Sequence, residues 1–276
     1  MADDPLFVSG YSRTSRRITI SSDAADPALA AIVDAPRGRD DAPVAVLAHC
    51  FTCNKDLKAL VRLSRRLAEN GVTCVRFDMT GLGGSEGDFS ATDFTTNVRD
   101  LRRVVGEIGR RLSVPRLWIG HSFGGAACLA LAGDPETTEP PDLVATLAAP
   151  SDTVHLARLL RRMNPGIEAE GVGDVTIGGR TWTIPRRMLE DFDAHDLPGR
   201  IAAVRCAVLA LHSPTDETVG FDHAVRIESL VRGADRPASV VTLPDTDHLL
   251  TRGVTPDSVA DIIAAYFNAL SGPVRR

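Results

Sequence analysis

The chain has 276 residues, 43% of them apolar and 24% charged, which is the make-up of an ordinary globular protein and enough length for one α/β domain with a modest insertion. Neither a disordered nor a membrane-embedded chain suits that composition. A formal net charge of −5 speaks against a nucleic-acid partner, because phosphate binding needs clustered positive charge.

The opening stretch MADDPLFVSG has neither the basic start nor the apolar run of a secretory signal. No apolar run approaches the roughly 20 residues that span a bilayer. Five scattered cysteines, an odd number, do not look like a disulfide framework. A cytoplasmic protein that binds neither membrane nor nucleic acid is expected, with its oligomeric state open.

In chain order, Arg17 to Ile20 and Ala30 to Val33 read as two strands without a helix between them, hence an antiparallel edge. Val44 to Ala48 is a short β-branched run that predicts a buried strand, and Leu57, Leu60, Val61 and Leu67 then fall at helical spacing. Thr73 to Phe77 predicts another strand, followed by the Gly-rich loop GLGGSEGD. Phe94, Val98, Leu101, Val105, Ile108 and Leu112 recur at helical spacing, with Thr92 or Asp93 as cap. The pairs Arg102-Arg103 and Arg110-Arg111 read as its solvated face. Further strands are predicted at Arg116 to Ile119, Leu143 to Leu147, Cys206 to Leu211 and Ser239 to Leu243. The last helix takes Thr255 as cap and Pro256 in its first turn, with Val259, Ile263 and Phe267 on one face. Such alternation builds a mostly parallel sheet with helices on both faces.

Between Ser151 and Arg200 the alternation breaks. Val154, Leu156, Leu159 and Leu160 form an amphipathic stretch, and residues 175–184 alternate on both sides of Gly178-Gly179, a hairpin signal. A helix carrying Met188, Leu189 and Phe192 follows. Residues 151–200 therefore read as a cap inserted into a single domain spanning 1–276, with Trp182, Met188 and Phe192 as the side chains offered to a substrate.

Gly120-His121-Ser122-Phe123-Gly124 matches G-x-S-x-G directly after a strand and directly before a small-residue helix. So tight a strand-to-helix turn strains the serine backbone, and the flanking glycines give it room. A serine hydroxyl needs a base to become a nucleophile. Elbows of this kind take an acid and then a histidine from later strand ends. Asp216 follows the Cys206–Leu211 strand, and His248 follows the Ser239–Leu243 strand. Glu217 and Asp152 compete for the acid role with less suitable positions, while Asp245 and Asp247 read as loop caps beside His248. Of the other histidines, His155, His195 and His223 are expected to be exposed, and His121 to point away from its neighbour. The Phe123 N–H at the helix start and the Phe51 N–H in the loop HCFTCNKD are the candidate oxyanion donors, with His49 bracing that loop. Cys50-x-x-Cys53 invites a redox reading, but without a thioredoxin-like context a buried Cys50 and an inert Cys53 are expected. GLGG reads as a structural turn, since no Walker sequence follows.

Together HCFTCNKD, RFDMTGLGGSEGDF, GHSFGG, APSD, HSPTDETVG and DHLL resemble the α/β-hydrolase superfamily. More narrowly they are similar to the hydrolase module of bifunctional α/β hydrolase/OsmC-family proteins, serine aminopeptidase S33-like, over His49 to His248. The resemblance implies an α/β-hydrolase fold with an eight-stranded, mostly parallel sheet and a small inserted cap. It implies Ser122, Asp216 and His248 as triad, and the Phe51 and Phe123 amides as oxyanion hole. With the sequence ending at Arg276, no OsmC-type peroxidase module is expected. His49-Cys50 stands where most relatives carry His-Gly.

The expected reaction is hydrolysis of a small or medium acyl ester or thioester through an acyl-enzyme on Ser122, with no metal or organic cofactor. Rival readings are a serine aminopeptidase-type amidase or a cofactor-free perhydrolase on the same triad. A non-catalytic binding protein of this fold is the rival from another class.

Overall fold

The computed structural model describes residues 10–21 and 26–271, so all of the acidic opening stretch but Gly10 lies outside the described residues. The chain opens with β1 (Arg13–Ile20) and β2 (Leu29–Pro36), then runs β3 (Val44–Ala48), α1 (Lys58–Glu69), β4 (Thr73–Phe77), α2 (Phe94–Arg111), β5 (Leu117–His121), α3 (Phe123–Ala132) and β6 (Leu143–Leu147). An excursion follows, made of α4 (Val154–Met163), α5 (Gly166–Glu170), β7 (Val172–Ile177), β8 (Arg180–Pro185), α6 (Arg186–Ala194) and α7 (Leu197–Ala202). The main body resumes with β9 (Ala207–His212), α8 (Asp222–Arg232), β10 (Ala238–Thr242) and α9 (Pro256–Ser271).

Eight strands form one sheet in the order β1-β2-β4-β3-β5-β6-β9-β10. β2 is antiparallel to both β1 and β4, and every other pairing is parallel. This is the α/β-hydrolase fold. Every residue of β3, β4, β5, β6 and β9 is buried, as expected of parallel strands covered on both faces. The pleat sorts their side chains: Val44, Val46 and Trp118 pack with Phe94, Leu101, Ile108 and α3. Leu47, Leu117 and Ile119 face the other way, against Leu60 and Leu63 of α1 and Val259, Ile263 and Phe267 of α9. β1 is the outer strand, and its Arg16 and Arg17 side chains are exposed.

Five of the eight strands differ from the sequence reading by one to four residues at an end: β1 begins at Arg13, β2 runs Leu29–Pro36 and β10 runs Ala238–Thr242. β5 begins later and runs on to His121, because its ladder with β6 continues to His121 opposite Leu147. β9 extends to His212, opposite Thr242. Arg103 is a correction of another kind. It is not a solvated side chain: it is largely buried, ion-paired to Asp100 and bonded to the Pro27 carbonyl.

Buried charge ties the start of the sheet to the loop after β3. The Asp34 carboxylate accepts from Ser64 at 2.6 Å and Arg76 at 3.1 Å, and Arg76 also reaches the Lys55 carbonyl at 2.9 Å. Asp78 takes the Lys55 ammonium at 2.8 Å together with the N–H groups of Lys55 and Gly84. The GLGG segment therefore wraps a carboxylate, and paired charges of this kind satisfy one another without water.

Candidate active site

The order of strands around β3 decides where a site can form. β4 lies on one side of β3 and β5 on the other, so the loops leaving β3 and β5 diverge and open a crevice at their carboxyl ends. From β5 the chain enters α3 within one residue. Ser122 makes that turn with φ 52° and ψ −120°, a conformation that L-residues adopt only when their surroundings hold them there. Close approach makes glycine necessary on both sides. A Cβ on Gly120 would lie 2.4 Å from Gly125 Cα, and one on Gly124 would lie 2.4 Å from the His49 carbonyl oxygen.

Asp216, in the loop after β9, and His248, in the loop after β10, meet Ser122 at this edge. His248 Nδ1 lies 2.8 Å from Asp216 Oδ2, and His248 Nε2 lies 2.9 Å from Ser122 Oγ. A carboxylate only accepts, so Nδ1 carries the proton and Nε2 is left to accept the Ser122 hydroxyl. Asp216 Oδ1 is filled by the N–H groups of Thr218 and Val219 at 2.8 and 3.0 Å. Burial alone would raise the Asp216 carboxyl, but the hydrogen bond and charge of His248 and these two amides outweigh it and hold it below its ordinary value. The His248 side chain keeps 14% of its surface exposed against 1% for Asp216, so access to the relay is from the imidazole side.

His121, expected to point away from Ser122, reaches the loop that carries His248. It is fully buried, and its Nε2 donates to the His248 carbonyl oxygen at 2.7 Å. Burial, and then the charge of His248, push it down to about 3, so it remains a neutral donor. His212, at the end of β9, donates to the Val219 carbonyl at 2.8 Å and so supports the turn that carries Asp216. His223 is another correction: it is buried and accepts from the N–H and hydroxyl of Ser151 at 3.0 and 2.9 Å.

The loop after β3 faces the elbow. His49 Nε2 accepts from the Met79 N–H at 3.1 Å, which leaves Nδ1 to donate to the Cys50 carbonyl at 2.8 Å. Burial lowers its pKa and keeps the ring neutral. Cys50 is buried as expected, but it is joined to Cys53 by a disulfide, with Cα atoms 5.3 Å apart. A tight turn closed by Cys53 N–H to the Cys50 carbonyl at 3.2 Å brings them within bonding reach. Among the described residues, neither the Phe51 nor the Phe123 N–H has a protein acceptor. Their rings meet edge-on with centroids 5.8 Å apart.

The excursion seats itself over this crevice. Asp191 accepts from the Phe94 N–H at the start of α2 at 2.8 Å, and the Phe192 ring lies 5.0 Å from Phe123 and 6.1 Å from Phe51. Met188 and Phe192 are fully buried. Instead of offering surface to a substrate, they seat the excursion on the core. Trp182 is half-buried, with its ring 4.8 Å from Phe89, which in turn lies 5.5 Å from Phe51.

The other acid candidates meet other partners or solvent. Asp152 caps α4 through the His155 N–H at 2.8 Å and pairs with Arg226 at 3.1 Å. Asp247 accepts from Thr251 and Arg252, and Glu217 is exposed. Among the described residues no group of three or more His, Cys, Asp or Glu could hold a metal ion, and no helix is long and apolar enough to cross a membrane. An open cleft of about 390 Å³ lined by Arg17, Ile32, Lys55 and Gly84 contains none of the residues of the relay.

Residues 45–262 match the model of the alpha/beta hydrolase family. The esterase domain of a Rhodothermus marinus protein is similar to this chain at 32% identity, covering 92% of this chain and 97% of its own, with a TM-score of 0.69. Est1E from Butyrivibrio proteoclasticus, solved with ferulic acid bound, is 19% identical over 90% of this chain and 97% of its own, with a TM-score of 0.75. A putative hydrolase from Agrobacterium vitis S4 is 21% identical over 93% of this chain and 100% of its own, with a TM-score of 0.73. These last two share the fold. A search of curated protein sequences finds no match.

Proposed function

This chain belongs to the alpha/beta hydrolase family, and from that premise we propose that it is a serine esterase acting through Ser122, His248 and Asp216. The observation that carries the proposal is the unbroken hydrogen-bond relay from Ser122 Oγ through the imidazole to a buried carboxylate. His248 Nε2 takes the hydroxyl proton as Oγ attacks the acyl carbon. The imidazolium so formed is held by Asp216, which stays ionised. The carbonyl oxygen becomes an oxyanion between the Phe51 and Phe123 N–H groups, and one such donor contributes on the order of 10²–10³ in turnover. Collapse releases the alcohol with the proton from His248, and water deprotonated by the same nitrogen then frees the acid from Ser122.

Small and medium acyl esters or thioesters are the proposed substrates. They would be received against the part-exposed rings of Phe51 and Trp182, with residues 151–200 as a cap that selects among them. The 32% identity to an esterase domain supports esters over amides. Ferulic acid bound to Est1E offers an aromatic acid as the first acyl group to try. A fluorophosphonate probe should label Ser122, and a panel of p-nitrophenyl esters, thioesters and aminoacyl amides should rank esters first. Ester hydrolysis that survives Ser122→Ala would defeat the proposal.

A further inference from the structure

We propose that the Cys50–Cys53 disulfide positions the Phe51 N–H for the oxyanion and that a dithiol, by opening it, lowers turnover reversibly. This rests on the reading of Phe51 as an oxyanion donor. The link joins the residues on either side of Phe51-Thr52, so the candidate donor lies inside the covalent ring. Upstream, the loop is anchored where neutral His49 donates to the Cys50 carbonyl. Downstream, it is anchored where the Lys55 N–H meets Asp78 at 2.6 Å. Between those anchors Thr52 sits at φ 60°, unfavourable for a β-branched side chain. Its hydroxyl donates to the Phe51 carbonyl at 2.7 Å. With the link open, Thr52 is free to return to negative φ, and the peptides beside it, including the one carrying the Phe51 N–H, are re-aimed. The Phe51 ring stays clasped by Phe89, Phe123 and Phe192, so the loss is graded and the fold remains.

Access favours attack at Cys53. Cys53 is half-buried while Cys50 is 4% exposed, and the free cysteines Cys74, Cys128 and Cys206 are all buried. Burial also raises those three thiols, Cys74 and Cys206 to about 12. A thiolate of the reductant attacks Cys53 Sγ, the S–S bond breaks, and Cys50 leaves as a thiolate that takes up a proton. The second thiol of the reductant then attacks the mixed disulfide, releases Cys53 as a thiol and closes the oxidised reductant. Two electrons and two protons pass to the protein.

The test compares full-length enzyme as purified, reduced with dithiothreitol and reoxidised with diamide, with the state of each cysteine read by alkylation and mass spectrometry. Because removal of an oxyanion donor costs on the order of 10²–10³, displacement of one should lower kcat for p-nitrophenyl acetate about tenfold, leave KM within about twofold and recover on reoxidation. Cys53→Ser should show the lowered kcat from the outset and ignore the reductant. A reduced enzyme, or a Cys53→Ser variant, that keeps the parental kcat would overturn the proposal. So would kcat, KM and melting temperature all deteriorating together, which marks a structural clamp only. Oxidised enzyme that neither takes up a fluorophosphonate nor turns over ester defeats the esterase reading itself. Equal labelling and turnover in both redox states defeats this proposal alone.

Discussion

His121 donates from Nε2 to the carbonyl oxygen of His248 at 2.7 Å, and the two rings lie 5.3 Å apart. The residue before Ser122 thus supports the loop whose imidazole meets the Ser122 hydroxyl. One buried ring sets the spacing of both partners.

That ring makes stability depend on pH. His121 is held at about 3 when folded against an ordinary value near 6.5 when unfolded. The unfolded chain therefore binds the extra proton between those limits, and stability falls as pH drops below about 6.5. By pH 5 the His121 contribution to that loss is about 2 kcal/mol. His49, His212 and His223, also lowered by burial, act in the same direction. The carboxyl of Asp216 is lowered as well, so its own loss comes only at more acidic pH. Urea midpoints measured from pH 7.5 to 5 should decline, and His121→Gln should flatten the decline. A slope unchanged by that substitution would remove His121 from the account.

Ser122 and His248 should behave as one unit. Ser122→Ala or His248→Ala alone should cost on the order of 10⁴–10⁶ in turnover, and the double variant should be little worse. Multiplying single effects, measured by kcat on one ester, would show that the two side chains act separately. Melting temperature should scarcely move for Ser122→Ala.

Asp216 and Asp152 can be told apart by the same assay. Asp216 meets His248 Nδ1, whereas Asp152 caps α4 and pairs with Arg226. Asp216→Asn should lower kcat by on the order of 10⁴, because the amide favours the wrong imidazole tautomer. Asp152→Asn should leave kcat within about twofold. The reverse ranking would move the acid to the loop after β6.

Trp182 offers the test of substrate selection. Its ring stands on Phe89, with the Arg180 guanidinium 5.1 Å from the ring centroid. If an acyl chain packs against it, about 1.5–3 kcal/mol of binding is at stake. Trp182→Ala should then reduce kcat/KM for an octanoyl ester at least tenfold while sparing the acetyl ester. A uniform loss on both, with a lower melting temperature, would make Trp182 a packing residue of the β7–β8 hairpin.

The central sheet is legible because its strands are short apolar runs closed off on both faces; β3, β4 and β6 begin and end where residue types change. The meeting of Ser122, Asp216 and His248 follows from chain order, since each comes just after a parallel strand and those strands finish at one edge of the sheet. β5 is harder to delimit because Gly120 and His121 look like turn residues, and only pairing with β6 keeps them in the ladder. The role of His121 is not legible at all, for its partner lies 127 residues away. The disulfide depends on a turn geometry that C-x-x-C spacing does not fix. Helical spacing marks Met188 and Phe192 as apolar but does not say whether a substrate or the core covers them; the core does.

Among the described residues β1 pairs with β2 alone, and such an outer strand is where an arriving strand adds. Arg16 and Arg17 stand exposed on β1, with Arg13 only half-buried beside them. A second molecule offering its own β1 would bring like charges face to face, so the sheet resists growing into fibrils or edge-joined aggregates. Neutralising those arginines would remove the guard, and the cost would fall on the shelf life of the protein and not on its chemistry.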